Sequence, residues 1–245
     1  MKLLNYWISL AIISGCSVSE NAVQPEHTGP SLKIISQFLL DVPEPSGLAF
    51  DRSRSAMWTV SDQNGCLYKL DLTGNIIQTM TLEATDLEGV SFNWHTGELL
   101  VVEENAGDVV QLDSLGAILG KHQILQTHDN SGLEGVCADD KGRIFVIKEK
   151  APGKWIALNP DFSIAETKEL TFAPDYSDIA CDTSDNRFWI LSDQGQQLFL
   201  WDTNEGVLES YHVAIENPEG IVIDFVNQIF YIVSDSQQRL FLLTQ

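Results

Sequence analysis

A four-residue corner recurs five times along this chain, and its spacing restricts the fold more than any other feature. The corners are Pro45-Ser46-Gly47-Leu48, Leu87-Glu88-Gly89-Val90, Leu133-Glu134-Gly135-Val136, Tyr176-Ser177-Asp178-Ile179 and Pro218-Glu219-Gly220-Ile221. Counted from the second residue of each, they lie 42, 46, 43 and 42 residues apart. Some sixteen residues after each corner an acid closes an apolar run: Asp62, Glu104, Glu149, Asp193 and Asp235. Repeats of about 40–45 residues that each hold four short strands are the blades of a propeller.

Each repeat does divide into four strands, here called A to D from the inside out. In the first they are expected at 47–50, 57–60, 66–70 and 76–82, separated by Asn64-Gly65 and Thr73-Gly74-Asn75, which carry turn chemistry. The B strands, such as Leu99-Leu100-Val101-Val102 and Ile144-Phe145-Val146-Ile147, are apolar on both faces, as a strand between two packed blades must be. Trp58, Trp189 and Tyr231 share one B-strand position and are expected to pack between blades. The lone Trp201-Asp202 pair reads as a turn at the end of a C strand. The fifth repeat ends after three strands at Gln245, so the segment 32–40 is predicted to supply its fourth. The sequence thus predicts an all-β, five-bladed β-propeller over residues 31–245, with four-stranded antiparallel blades and the last blade closed by the N-terminal strand, leaving no open sheet edge.

The N-terminus reads differently. Lys2 and the apolar stretch at residues 3–13 form a secretory signal, too short to span a bilayer. The signal ends in Ile13-Ser14-Gly15-Cys16, which resembles a bacterial lipobox and makes Cys16 the expected lipidation site once residues 1–15, the lipoprotein signal peptide, are cleaved. Ser17 follows where inner-membrane retention would favour aspartate, so an outer-membrane anchor facing the periplasm is expected ahead of an inner-membrane one. Residues 16–30 read as the lipidated cysteine and a polar tether.

Thirty-five acids against fourteen bases give a net charge of −21, which excludes nucleic acid as a partner and favours cations. Three cysteines remain beyond Cys16, and an odd number argues against a disulfide framework. Cys137 and Cys181 fall at opposite parity from their corners and are expected, with Cys66, as buried free thiols.

Propeller geometry places the corners and the later acids on one face. The corners form an inner ring of Glu88, Glu134 and Glu219 with Ser46 and Ser177, while Asp178 takes a glycine's place. Asp62, Glu104, Glu149, Asp193 and Asp235 form an outer ring about 5 Å further out. Carboxylates at that separation repel by about 3 kcal/mol per pair at an effective dielectric near 20. A bound cation, raised pKa values or a wide water-filled mouth would each relieve this, as would capping of backbone amides by the glutamates. Neither ring contains a histidine or cysteine, so a divalent, oxygen-ligated cation such as calcium is the cofactor that fits. Glu88, Glu134, Glu219 and Asp178 are its candidate ligands. Ser46, Ser177, Asp62, Asp193, Asp235 and Lys148 are candidate contacts for a small ligand or an envelope protein. Lys148 and Lys150 flank Glu149 and either select an anion or neutralise excess acid.

These corners, together with Val60-Ser61-Asp62, Val102-Glu103-Glu104 and Lys148-Glu149-Lys150-Ala151-Pro152, resemble the SdiA-regulated (YjiK-like) family of bacterial envelope propellers. The Glu-Gly corners are also similar, more loosely, to those of phytase-type and esterase-like propellers. The first resemblance implies a propeller in the cell envelope and no particular reaction. Two functions are therefore carried forward: a lipid-anchored, monomeric binding propeller, and a metal-dependent hydrolase of esters, lactones or phosphoesters. In the second, Glu104 or Glu149 would serve as general base. The sequence holds no Gly-x-Ser-x-Gly elbow, and its five histidines read as surface or capping residues.

Overall fold

A computed structural model describes residues 29–126 and 131–245. The signal, Cys16, most of the tether and His128 lie outside them. Among the described residues there are twenty strands and no helix, and the strands make five four-stranded antiparallel sheets arranged in a ring. β1 (Lys33–Leu39) comes first in the chain but is the outermost strand of the last sheet. Blade 1 follows as β2 (Pro45–Phe50), β3 (Ala56–Ser61), β4 (Cys66–Asp71) and β5 (Ile76–Thr81). Blade 2 is β6 (Leu87–Asn93), β7 (Glu98–Glu103), β8 (Asp108–Leu112) and β9 (Ile118–Gln123). Blade 3 is β10 (Leu133–Ala138), β11 (Ile144–Lys148), β12 (Gly153–Leu158) and β13 (Ile164–Leu170). Blade 4 is β14 (Asp178–Cys181), β15 (Arg187–Ser192), β16 (Gln197–Asp202) and β17 (Gly206–His212). Blade 5 is β18 (Pro218–Asp224), β19 (Ile229–Ser234) and β20 (Arg239–Thr244), completed by β1 through pairs such as Gln37 with Phe241. The ring is therefore five blades, locked by hydrogen bonds between the two ends of the described fold.

The core lies between blades rather than inside any one of them. Trp189 of β15 packs edge-on against Phe230 of β19, and Phe50 of β2 against Tyr231, each pair bridging neighbours. Trp58, Trp189 and Tyr231 are all at least 95% buried, as their shared strand position requires. Asp202 accepts the amides of Asn204 and Glu205, so Trp201-Asp202 is a turn. Trp201 fills an interblade cluster with Trp155 and Phe188. No helix among the described residues is long and apolar enough to cross a membrane.

The cysteines correct the sequence reading. Cys137 of β10 and Cys181 of β14 form a disulfide, with Cα atoms 5.9 Å apart, and Cys66 is free and half-exposed. Parity within a strand did place the two side chains on opposite faces. Adjacent blades stack face to face, however, so opposite faces of neighbouring inner strands confront each other.

The inner strands meet at the axis. A Cβ on Gly89 would lie 2.4 Å from the Glu134 carbonyl, and one on Gly135 would lie 2.6 Å from Asp178 Oδ1. Neither position admits a side chain. Asp178 fills the remaining space: Oδ1 accepts the Ile179 amide at 2.8 Å and Oδ2 the Ile221 amide at 2.7 Å. It closes the channel between a polar mouth and an apolar chamber of about 100 Å³ beside the disulfide.

Candidate functional site

The polar mouth is built by one local device repeated around the ring. Two residues before each inner-ring position stands Glu44, Asp86, Gly132, Asp175 or Asn217. Glu44, Asp86 and Asn217 have φ of 44°, 60° and 44°, a left-handed conformation that turns the carbonyl toward the neighbouring loop. Those carbonyls accept the outer-ring amides: Asp62 to Glu44 at 3.2 Å, Glu104 to Asp86 at 3.0 Å, Glu149 to Gly132 at 3.1 Å and Asp235 to Asn217 at 3.2 Å. In blade 4 the side chain substitutes, with Asp175 accepting Ser192 Oγ at 2.6 Å and the Gln194 amide at 3.1 Å. The two rings are thus clipped together through the backbone.

The result is a cavity of about 160 Å³ whose wall includes Ser46, Ser177, Glu88, Glu134, Glu219, Asp62, Glu149, Asp193 and Asp235. The inner and outer sets predicted from the sequence do share this face. Glu44 and Asp175 also line it, and both were missed. Their signal was present, since an acid stands two residues before the ring position in three of the five repeats.

The acids gather off the axis, into two groups. Oxygens of Asp62, Asp86 and Glu88 lie within 4.8 Å of one another, as do those of Glu104, Glu134 and Glu149. The first joins inner-ring Glu88 to outer Asp62 and to Asp86 of the entering loop, and the second joins inner-ring Glu134 to outer Glu104 and Glu149. In the first, burial, followed by Asp86 and Glu44, pushes Asp62 up to about 6, and burial, then Asp62, pushes Glu88 well above its usual value. Asp86 beside it helps to hold Asp62 up, while the Ser46 hydroxyl works the other way on Glu88.

The second group has less relief. Glu134 is 91% buried, and its carboxylate accepts no hydrogen bond from a described residue. Burial first, then Glu88, Glu104 and Glu149, drive its pKa far upward. Glu104 accepts the Gly132 amide at 3.0 Å, and Glu149 pairs with the Lys150 ammonium. Glu219 stands apart, pushed up to about 8 by burial and then by Asp193 and Asp235.

Two predicted site residues are placed elsewhere. Asp178 caps backbone amides beneath the cavity and is wholly buried, which makes it the plug of the channel rather than a ligand at its mouth. Its two oxygens are held by the amides of blades 4 and 5 because the glycines around it leave no other occupant for the axis. Lys148 donates to Ser131 Oγ at 2.7 Å and to the Lys150 carbonyl. The last residues of the other B strands, Ser61, Glu103, Ser192 and Ser234, tie down the same entering loop in their blades. Lys148 is therefore a loop clip. Ser177 donates to the Pro218 carbonyl at 3.0 Å and so joins blades 4 and 5. His122 stacks on Phe162 and His212 lies against the Gln196 carbonyl, both away from the mouth.

Comparison with curated protein sequences finds no match. Among solved structures, the chain is similar to glutaminyl cyclase from Myxococcus xanthus, at 14% identity and a TM-score of 0.68, over 87% of this chain and 95% of that one. It is also similar to virginiamycin B lyase from Staphylococcus aureus, at 15% identity and a TM-score of 0.52, over 85% and 69% of the two chains. At such identities the likeness is one of fold. A family profile is more specific and matches residues 35–242, nearly the whole ring that carries the corners. The chain belongs to the SdiA-regulated family.

Proposed function

We propose that this protein is a lipid-anchored envelope propeller that holds a divalent, calcium-like cation in its acidic mouth and presents it to a small ligand or an envelope partner. The observation that carries the reading is Glu134, a nearly buried carboxylate with no hydrogen-bond donor among the described residues, aimed into a cavity beside Glu104 and Glu149. A buried, unpaired carboxylate is costly, and a cation relieves the cost. Every side-chain donor in the group is a carboxylate oxygen, the set that hard cations take. The Cys137–Cys181 disulfide supports an oxidising compartment, in keeping with the signal and lipobox at residues 1–16. Calorimetric titration of metal-stripped protein with calcium tests the reading. Heat of binding and a rise in Tm are expected; neither appearing would overturn it.

A second reading is hydrolysis at the same mouth. It draws on Glu219, which at about 8 keeps its proton at neutral pH while lying in the field of Glu149. Carboxyl groups held in different protonation states can divide acid and base roles. Glu219 would donate a proton, and Glu104 or Glu149 would accept one. A panel of esters, lactones and phosphoesters turned over by the native protein, with activity lost in Glu134→Gln, would support it. Activity indifferent to that change would place the chemistry elsewhere.

A further inference from the structure

The Glu104–Glu134–Glu149 group already has a neighbour of opposite charge. The Lys150 ammonium contacts Glu149 Oε1 directly, and Glu134 and Asp175 also act on it. Burial works against this ammonium, yet the three acids hold its pKa above the usual value. The Lys150 side chain remains 40% exposed while that of Glu149 is only 15% exposed, so the lysine enters from the rim and the acid waits inside. The backbone at this point is fixed. The Lys150 carbonyl accepts both Ser131 Oγ, at 2.7 Å, and Lys148 Nζ. A pinned main chain with a four-carbon stem above it lets the ammonium leave without moving the ring.

We propose that Lys150 is a tethered counter-ion of this group, and that a divalent cation binds there only by displacing the Lys150 ammonium onto the rim. The proposal rests on the cation reading above and adds a competitor to it. The two occupants exclude each other because both need Glu149, and two cations sharing that carboxylate would repel. Glu134 is the second fixed point: nine-tenths buried and with no hydrogen-bond donor among the described residues, it stays in the cavity whichever occupant is present. Among the described residues, no salt bridge joins a lysine to Asp62, Asp86 or Glu88, so the Asp62–Asp86–Glu88 group has no such tethered competitor.

The test is calorimetric titration of calcium into metal-stripped native protein, Lys150→Met, Lys150→Arg and Lys141→Met. Lys141 pairs with Asp185 on the opposite, A–B turn face, so its loss changes net charge equally without touching the mouth. Lys150→Met is expected to bind calcium about tenfold or more tightly than the native chain. Lys150→Arg should keep the native affinity, Lys141→Met should stay within about twofold of it, and Glu134→Gln combined with Lys150→Met should lose the gain. Equal affinities for native protein and Lys150→Met would overturn the proposal and leave the cation reading intact, as would an equal gain in Lys141→Met. No binding by any variant would overturn both.

Discussion

Asp178 Oδ2 accepts the backbone amide of Ile221 at 2.7 Å, tying the inner strand of blade 4 to that of blade 5 at the centre of the ring. Its other oxygen holds the Ile179 amide, so one wholly buried side chain satisfies donors from two blades. The position belongs to glycine in the other four corners, and only the absence of side chains there leaves room for a carboxyl group at the axis.

Asp178→Asn is expected to destabilise the fold. Asparagine offers one acceptor and turns an NH2 group toward an amide donor, leaving a buried N–H unpaired. The cost should be about 2–3 kcal/mol, read as a lower urea midpoint. Native-like stability in this variant would remove the plug from the account of the fold.

Reduction of Cys137–Cys181 should also lower stability, because the bridge closes a segment of 44 residues between two blades. The expected loss is about 2–4 kcal/mol. It should appear as a fall in Tm under reducing conditions and be reproduced by Cys137→Ser with Cys181→Ser. Cys66→Ser should leave Tm unchanged in either condition.

Stability in cation-free buffer should decline as pH rises. Glu219 shifts from 4.5 to about 8 and Asp62 from 3.8 to about 6 on folding, and Glu88 and Glu134 move the same way. Between the unfolded and folded values the native chain holds protons that the unfolded chain has lost, so ΔG of unfolding falls with pH. Tm should be higher at about pH 5.5 than at about pH 8, and calcium should raise it more at the higher pH, where protons no longer compete. Glu134→Gln should raise the cation-free Tm at the higher pH and weaken the calcium response. A Tm that climbs with pH in cation-free buffer would contradict the charge balance described for the mouth.

Gly89→Ala should disturb the ring without touching a charge. The added methyl meets the Glu134 carbonyl and the Gly135 Cα, both backbone and neither able to retreat. A loss of about 1–3 kcal/mol is expected, measured by thermal melting. Gly206→Ala is the comparison, since nothing lies within 4 Å of a Cβ there and only the strain of φ 83° opposes it.

The blade count and the closure by β1 were legible in the chain because both are matters of period. A corner every 42–46 residues and a fifth repeat one strand short leave few other arrangements. The two rings were legible for the same reason, since residues at equal phase in equal blades occupy equal places. Glu44, Asp86 and Asp175 follow the same rule, but Gly132 and Asn217 interrupt their column and mask the pattern.

What period could not supply was the relation between blades. Which carboxylates approach each other depends on how one blade's outer acid leans toward the next blade's corner, so Glu134 meets Glu104 and Glu149 rather than Glu219 at the axis. Whether Cys137 meets Cys181 depends on face-to-face stacking, which reverses the sense of parity between sheets. Whether a lysine clips a loop or enters the mouth depends on its rotamer against neighbouring loops, and Lys148 and Lys150 divide those tasks. The ring, its five repeats and the acidity of one face can be read along the chain, because these are local patterns repeated in order. Which charges are neighbours follows only from how the blades stack, because hydrogen bonds need contact distances and Coulomb energy grows as charges close in.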